Sequence, residues 1–415
     1  MAGCILDKTL WIVSGSSEAI PGIVRAKEMG LFVVVSDANP QAPGKSCADD
    51  FVAASTYDIE ATVNAARLYH GTKRKIDGVI SIAADVPLTV ASVAGALGLP
   101  GISLESASLA SDKVVMKKRF QETGIPIPWF QEIASVLELQ EVSCKKGFPI
   151  VIKPVDSRGA RGVLRLTEHV DLDWAFKHAR SFSSSGRVMV EEYLDGPQIS
   201  TESIMIDGKG YTPGFSDRNY EYLERFVPYI IENGGHQPSI LSKHEQKQIT
   251  ECAEMAGLAL GIHTGVAKGD MVMTSEGPKV IEMAARLSGG YFSTDQIPLA
   301  TGVDLVGCAI KVALGETVEP CELVPVRQQG VAIRYFFPKP GRVVAIENME
   351  KALKTQGVIK LEIFVSKGDV VEPVTNHTKR AGFVITQSES RQKAIELAQK
   401  TIGLVKIITE PMSSL

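Results

Sequence analysis

Three aliphatic runs in the first hundred residues set the tightest limit on the fold. Leu10–Val13, Leu31–Val35 and Gly78–Ile82 are rich in Val, Ile and Leu and show little polar alternation. Strands of that kind are covered on both faces, which is the condition of a parallel sheet between helices. The intervening segments read as helices. One follows Ser14-Gly15-Ser16-Ser17 with Pro21 in its first turn, one covers Asp58–His70, and one covers Val86–Leu97 and stops at Gly98.

A single helix is predicted over Leu104–Glu122, capped by Ser103 and ended by Gly124, before Pro126 and Pro128 stiffen a crossing into a new region. From Phe148 the pattern changes to strands separated by glycine turns: Ile150–Lys153, Val163–Leu166, Val188–Leu194, Ser200–Ile206, Val266–Met273 and Lys279–Met283. Helices near Leu172–Phe182 and His244–Leu260 interrupt them, giving α+β with antiparallel pairing. After Pro325 come short strands around Val331–Phe336, Leu361–Val365 and Gly382–Thr386, then a helix at Arg391–Ile402.

Composition removes several classes of function. With 44 Lys+Arg against 48 Asp+Glu the net charge is −4, which argues against a nucleic-acid or anionic-membrane partner. The longest apolar candidate, Val90–Gly101, falls short of the roughly 18 residues a membrane helix needs. Asp7 and Lys8 stand where a secretory signal would be basic and then apolar, so a cytoplasmic protein is expected. Cys4, Cys47, Cys144, Cys252, Cys308 and Cys321 are scattered and form no C-x-x-C, the pattern of reduced thiols rather than a disulfide frame or zinc site.

Chemistry concentrates in Val266–Arg286. Ser275-Glu276-Gly277 reads as a three-residue hairpin loop in which Thr274 faces Pro278 and Asp270 faces Glu282. The two acids would then share one face, with Cβ atoms about 4.5–5.5 Å apart. Lys268 and Arg286 fall on that face; Met271, Met273, Ile281 and Met283 fall on the other. Facing like charges need compensation. A divalent cation bridging to phosphate supplies it, as Mg2+ does with one or two carboxylates plus substrate phosphates. The plainer alternative is a solvated face neutralised by Lys268 or Arg286.

Other segments fit phosphate chemistry but are individually weak. Lys153 ends the run Phe148–Ile152, where a lysine can meet a phosphate or simply be exposed. The loop that follows, Asp156–Val163, is small, basic and glycine-bearing, so its N–H groups can cradle phosphate, although it lacks the P-loop order. Val188–Gly196 places Glu191 and Leu194 at a strand end, able to meet an adenine edge or to remain solvated.

Taken in order, these segments resemble the ATP-grasp family. The matching elements are Ser111-Asp112-Lys113, Phe148–Pro154 with its Gly159/Gly162 loop, Glu191–Glu202, and Glu276–Gly290. The resemblance implies an α/β and α+β architecture. It has a parallel pre-ATP-grasp α/β domain over 1–110 and an ATP-grasp small subdomain with a phosphate flap over 111–187. The large subdomain with the metal site follows over 188–320, then a C-terminal α+β closing domain over 321–415. Lys113 and Lys153 would hold ATP phosphates under a flap of Ser157, Arg158, Gly159 and Gly162. Glu191, with backbone at Tyr193 and Leu194, would hold adenine, and Gln198 would meet ribose where the family often has Glu. Asp270 and Glu282 would bind Mg2+, with Mn2+ as the alternative. Arg286 would stabilise the transferring phosphoryl group, with Gly289 N–H as a second donor. Asp270 replaces the family's usual Glu, and Ala284 replaces a common Asn, which leaves the number of metal ions open.

Within the family, Glu282–Gly290 and Phe226–Ser239 look most like the ligases that join two amino acids. That likeness implies a carboxylate phosphorylated by ATP and then attacked by an amine, small-molecule substrates, and homodimers. It would put His236, in a loop, near the amino acids. Gly290 and Tyr291 (or Phe292) would shape a side-chain pocket, with Gly290 leaving room for a larger residue. Three alternatives stand beside it: a formate- or bicarbonate-activating relative, a nucleotide-binding regulator without turnover, and an NAD-dependent dehydrogenase using Gly15 and Asp37. The last conflicts with Ser14–Gly22, which does not give G-x-G-x-x-G.

Overall fold

The computed structural model describes residues 7–412, so Cys4 lies outside the described residues. Two compact units interleave along the chain. The first comprises the chain up to Ile127 with Ile199–Phe215 and Leu241–Arg327; the second comprises Pro128–Gln198, Ser216–Ile240 and everything from Gln328. The first passage between them falls inside the Pro126–Pro128 stretch.

The first unit opens with a four-stranded parallel sheet in the order Asp50–Ala53, Phe32–Asp37, Thr9–Val13, Gly78–Ile80. Both faces are covered, as the aliphatic runs require. Leu10, Ile12, Val33 and Val35 pack on one side with Ile23 and Leu305, while Trp11, Val13 and Val34 pack on the other with Tyr69 and Val93. The helices start and stop where local chemistry dictates: Asp58 caps Ile59–Thr72, and Gly98, left-handed, ends Pro87–Leu97. Asp37 does not await a ribose. Its carboxylate accepts the N–H groups of Gly15 and Asn39, both at 2.9 Å, and so fixes the turn.

Leu104–Glu122 is not one helix. Leu104–Leu109 ends, and a second helix starts at Lys113 because Asp112 turns its carboxylate onto the Val114 and Val115 N–H groups. Serine and aspartate compete with helix-interior bonding in this way. The first unit also contains an antiparallel sheet whose first three strands are Gly277–Ala284, Gly265–Thr274 and Gln198–Ile206. Met271, Met273, Val280 and Met283 pack beneath it against Met116, Phe120 and the helix Lys243–Ala259.

The second unit carries a four-stranded antiparallel sheet ordered Phe130–Ile133, Val188–Glu192, Ile150–Pro154, Leu164–Leu166. Helices Val136–Lys146 and Leu172–Ser181 cover it. A further antiparallel set, Gly234–Gln237, Gly330–Tyr335, Gly382–Ser388 and Val358–Ile363, packs on helix Arg391–Leu404. Three short strands, Gly341–Glu347, Val370–Val371 and Lys406–Glu410, complete it. The architecture is the expected mixture of a parallel α/β sheet, antiparallel sheets and a C-terminal α+β region. No helix among the described residues is long and apolar enough to cross a membrane, and the cysteines described are free thiols.

Candidate active site

Asp270 pairs directly with Glu282 across the ribbon. The route to that pairing differs from the one the sequence suggested. The turn is only Ser275-Glu276, with Thr274 opposite Gly277, so the outer half of the ribbon is one residue out of the expected step. A β-bulge between the outer and inner halves absorbs Ile281 and restores the step before the acids. The bulge also exchanges neighbours: Val280, not Ile281, is buried beneath the ribbon.

Each acid is met by an ammonium group. Lys268 forms an ion pair with Asp270, whose other oxygen accepts the Ser200 hydroxyl at 3.1 Å. Lys113, the first residue of its helix and 8 % exposed, lies 3.1 Å from Glu282. The break at Asp112 puts that lysine where it is, since Met116 and Phe120 of the same helix seat it against the ribbon. The donor set suits a hard cation: two half-buried carboxylates on one face, each balanced by a lysine head. Among the described residues no third Asp, Glu, His or Cys joins them as a ready-made metal cage, so substrate oxygens must complete any coordination.

Arg286 follows the ribbon. Its Nε is 3.3 Å from Asp85, and its Nη1 donates to the Leu287 carbonyl at 3.1 Å. Burial works against its charge, but Asp85, Glu202, Glu282 and Asp270 more than offset this and hold the guanidinium above its ordinary range. Asp270 and Glu282 repel one another across the ribbon, and a cation arriving between them would relieve that repulsion. The loop beyond Arg286 is pinned by two acids. Glu202, fully buried, accepts the Ser288 N–H at 2.8 Å, and Glu18 accepts the Gly290 N–H at 2.9 Å. Burial raises the Glu202 carboxyl despite those bonds. A side chain at Gly289 would place its Cβ 2.6 Å from the Glu18 carboxylate and so push that carboxylate off the Gly290 N–H. Gly290 and Tyr291 both have positive φ, and Tyr291 is buried rather than lining an open surface.

In the second unit, Lys153 and Glu191 form an ion pair, each 3 % exposed, on one face of the four-stranded sheet. Leu194 is buried just past that strand, Tyr193 lies under the Arg165 guanidinium at 5.0 Å, and Gln198 begins the next strand. The Ser157–Gly162 loop is tied down at several points. Asp156 accepts Ser183 Oγ at 2.8 Å, Ser184 Oγ at 2.7 Å and Ser185 N at 2.8 Å. Gly162, at φ 73°, packs so closely that a Cβ would lie 2.9 Å from Pro154 and 3.0 Å from Phe182. At mid-loop the Gly159 carbonyl accepts the His377 N–H at 3.1 Å, while Arg161 Nε folds back on the Arg158 carbonyl.

Burial opposes the Asp156 charge, but the serine hydrogen bonds outweigh it and hold the carboxyl at about 2. Its stabilisation is therefore complete above the ordinary carboxylate pKa and fades as pH falls from about 4 through 2. Asp156→Ala should cost about 1–3 kcal/mol at pH 7. The stability gap to the parent should close toward pH 2, read by urea unfolding across that range.

His236 is not in a loop. It lies in strand Gly234–Gln237, paired with Asp217 and Ala332, and is 7 % exposed. Burial, with Arg334 and Arg391 nearby, pushes its imidazole down to about 2, so it is neutral at working pH. Asp85, Glu202 and Glu18 received no role from sequence reasoning. Only Glu202 left a trace, a glutamate two residues past Ser200 and so on the same strand face.

Three family models match the chain in order: the ATP-grasp N-terminal domain over residues 23–101, the ATP-binding domain of the carbamoyl-phosphate synthase L chain over 112–321, and L-amino acid ligase C-terminal domain 2 over 334–410. An uncharacterised protein of Sinorhizobium fredii is 28 % identical over 355 residues, 83 % of this chain and 71 % of that protein. A D-alanine–D-alanine ligase of Bordetella avium is 26 % identical over 207 residues, 48 % of this chain and 63 % of its own. The crystal structure of an L-amino acid ligase from Bacillus licheniformis superposes with a TM-score of 0.82 at 23 % identity, covering 98 % of this chain and 99 % of that one. The chain belongs to the ATP-grasp superfamily of ADP-forming carboxylate–amine ligases, and its residues 334–410 match an L-amino acid ligase domain.

Proposed function

We propose that the protein joins amino acids. ATP phosphorylates the carboxylate of one, and the amine of a second displaces phosphate from the acyl-phosphate, releasing ADP and inorganic phosphate. The observation that carries this reading is the Asp270–Glu282 pair, flanked by Lys113, Lys268 and Arg286. The match of residues 334–410 to an L-amino acid ligase domain favours amino acids as the substrates.

Asp270 and Glu282 would hold Mg2+, which when bound neutralises phosphate charge. Lys113 and Lys268, released from those acids, would turn to phosphate oxygens. Arg286 would meet the charge that develops on the transferring phosphoryl group. The loop pinned by Glu18 and Glu202 keeps the Arg286–Gly290 backbone fixed through that change. Lys153 and the Ser157–Gly162 flap would hold nucleotide phosphates, and Glu191 with Tyr193, Leu194 and Gln198 would hold the nucleoside. The attacking α-amine must be neutral, so its ammonium proton has to pass to solvent or to the departing phosphate, and ligation should speed up as pH rises. His236, kept neutral, would serve as a hydrogen-bonding group and not as a proton carrier.

The test is ADP and phosphate release across a matrix of amino-acid pairs, with formate and bicarbonate as competing acceptors. Release that depends on formate or bicarbonate would favour the carboxylase-type reading, and AMP with pyrophosphate would contradict the chemistry altogether. The same matrix tests Gly290. With no side chain there, residues larger than alanine should be accepted at the first position, and acceptance of glycine and alanine alone would remove that expectation.

A further inference from the structure

Arg334 takes no part in the chemistry above, yet its buried charge is poorly compensated. It is 4 % exposed, and no protein group among the described residues meets its Nε or Nη1. Its Nη2 has only the Glu221 carboxylate, at 3.8 Å. A guanidinium cannot escape burial by losing its proton, and an uncompensated buried cation is costly. Its strand partner across the sheet is Gly234, where a Cβ would lie 2.1 Å from the Ile333 carbonyl and 2.8 Å from Nη1, so the backbone itself requires glycine there and the guanidinium occupies the space left beside it.

The same sheet face carries a second open donor. Gly234 pairs with Arg334 and His236 with Ala332, so His236 and Arg334 are diagonal neighbours on one face. Arg391 Nη2 stands 3.3 Å from His236 Nδ1. A guanidinium only donates, so Nδ1 accepts and the neutral ring carries its proton on Nε2. That Nε2 is buried and also lacks a protein partner. Beside Gly234, Asn233 is 1 % exposed; its Nδ2 donates to Glu221 at 3.0 Å and its Oδ1 has no partner. Donors without acceptors thus lie next to an unused amide oxygen and a carboxylate. A zwitterion presents the complementary pattern, a carboxylate for Arg334 and His236 and an ammonium or amine for Asn233 and Glu221. A phosphate would fit the same guanidinium fork but brings no cationic group for Glu221 and Asn233, which a zwitterion does.

We propose that Arg334, with His236 Nε2, binds the non-reacting α-carboxylate of a free amino acid that serves as the amine substrate. This rests on the amino-acid ligation reading and adds the group that distinguishes a free acid from its ester or amide.

The experiment compares L-amino acids with their methyl esters as amine substrates, by ADP release, in the parent, Arg334→Gln and Arg334→Lys. The parent should show a KM at least about tenfold lower for the acid than for the ester. Arg334→Gln should raise the acid KM about tenfold or more while the ester KM and the ATP KM stay within about twofold, and Arg334→Lys should fall between. A merely structural role would move all three constants together. An unchanged acid-to-ester ratio in Arg334→Gln overturns the proposal. Thermal unfolding of the same proteins with MgADP and each amino acid or ester at 10 mM (about the concentration a weak site needs) separates the two readings. A shift given by free acids and not esters, lost in Arg334→Gln and reduced in Arg334→Lys, supports the site even if no pair yields ADP. No shift with any free acid overturns it even if ligation occurs.

Discussion

Glu282→Gln should reduce ADP release by about 100- to 1,000-fold while the protein stays folded. The substitution keeps the shape of the side chain and removes the one charge that faces Asp270 across the ribbon. If the pair holds Mg2+ against the nucleotide, half of the protein's charged ligand set is lost. Removing a single preorganised electrostatic contact at a reacting group already costs about two to three orders of magnitude. Stability should fall only moderately. Glu282 is about a quarter exposed but its partner Lys113 is mostly buried, so leaving that ammonium without its carboxylate should cost about 1–3 kcal/mol. A coupled ADP assay alongside a urea melt separates the effects. Turnover within threefold of the parent would end the metal assignment. In the parent, chelation of Mg2+ should abolish turnover, with Mn2+ restoring at least part of it.

Arg286→Lys should lower kcat by about 100-fold or more, with a smaller change in the ATP KM. Lysine preserves the positive charge among Asp85, Glu202, Glu282 and Asp270, so the fold keeps its neutraliser. What is lost is the planar fork that meets two phosphoryl oxygens at once, and a single ammonium does not replace it. Arg286→Gln is the contrasting variant. It leaves buried acids facing one another and should destabilise by about 3–5 kcal/mol in addition to losing activity. Steady-state kinetics with denaturant melts on both variants distinguish a missing transition-state contact from a collapsed site. A lysine variant that turns over normally would mean Arg286 is a structural counter-ion only.

The parallel sheet was legible because its strands are buried on both faces, a state only uninterrupted aliphatic runs such as Leu10–Val13 satisfy. Helix ends marked by Asp58 and Gly98 were legible because each acts on its own neighbours. The failures involve choices that the local sequence leaves degenerate. Leu104–Glu122 has helical residues throughout, and only the Asp112 carboxylate breaks it. Gly234–Gln237 reads as a glycine loop because its pairing partners lie far away in sequence, in Gly330–Tyr335 and Lys209–Asn219. In the candidate site, residues within one hairpin could be aligned from sequence. Asp85, Glu18 and Glu202 could not, because each reaches Arg286 or its loop from a separate part of the chain.

The extra residue at Ile281 gives the ribbon two phases. Outward of it the strands keep one alignment, and inward of it another. The tip around Ser275 and Glu276 carries neither acid, and deleting Ile281 would still leave Glu282 opposite Asp270 in an unbroken ladder; what the extra residue adds is the local bend and twist at which the two carboxylates meet.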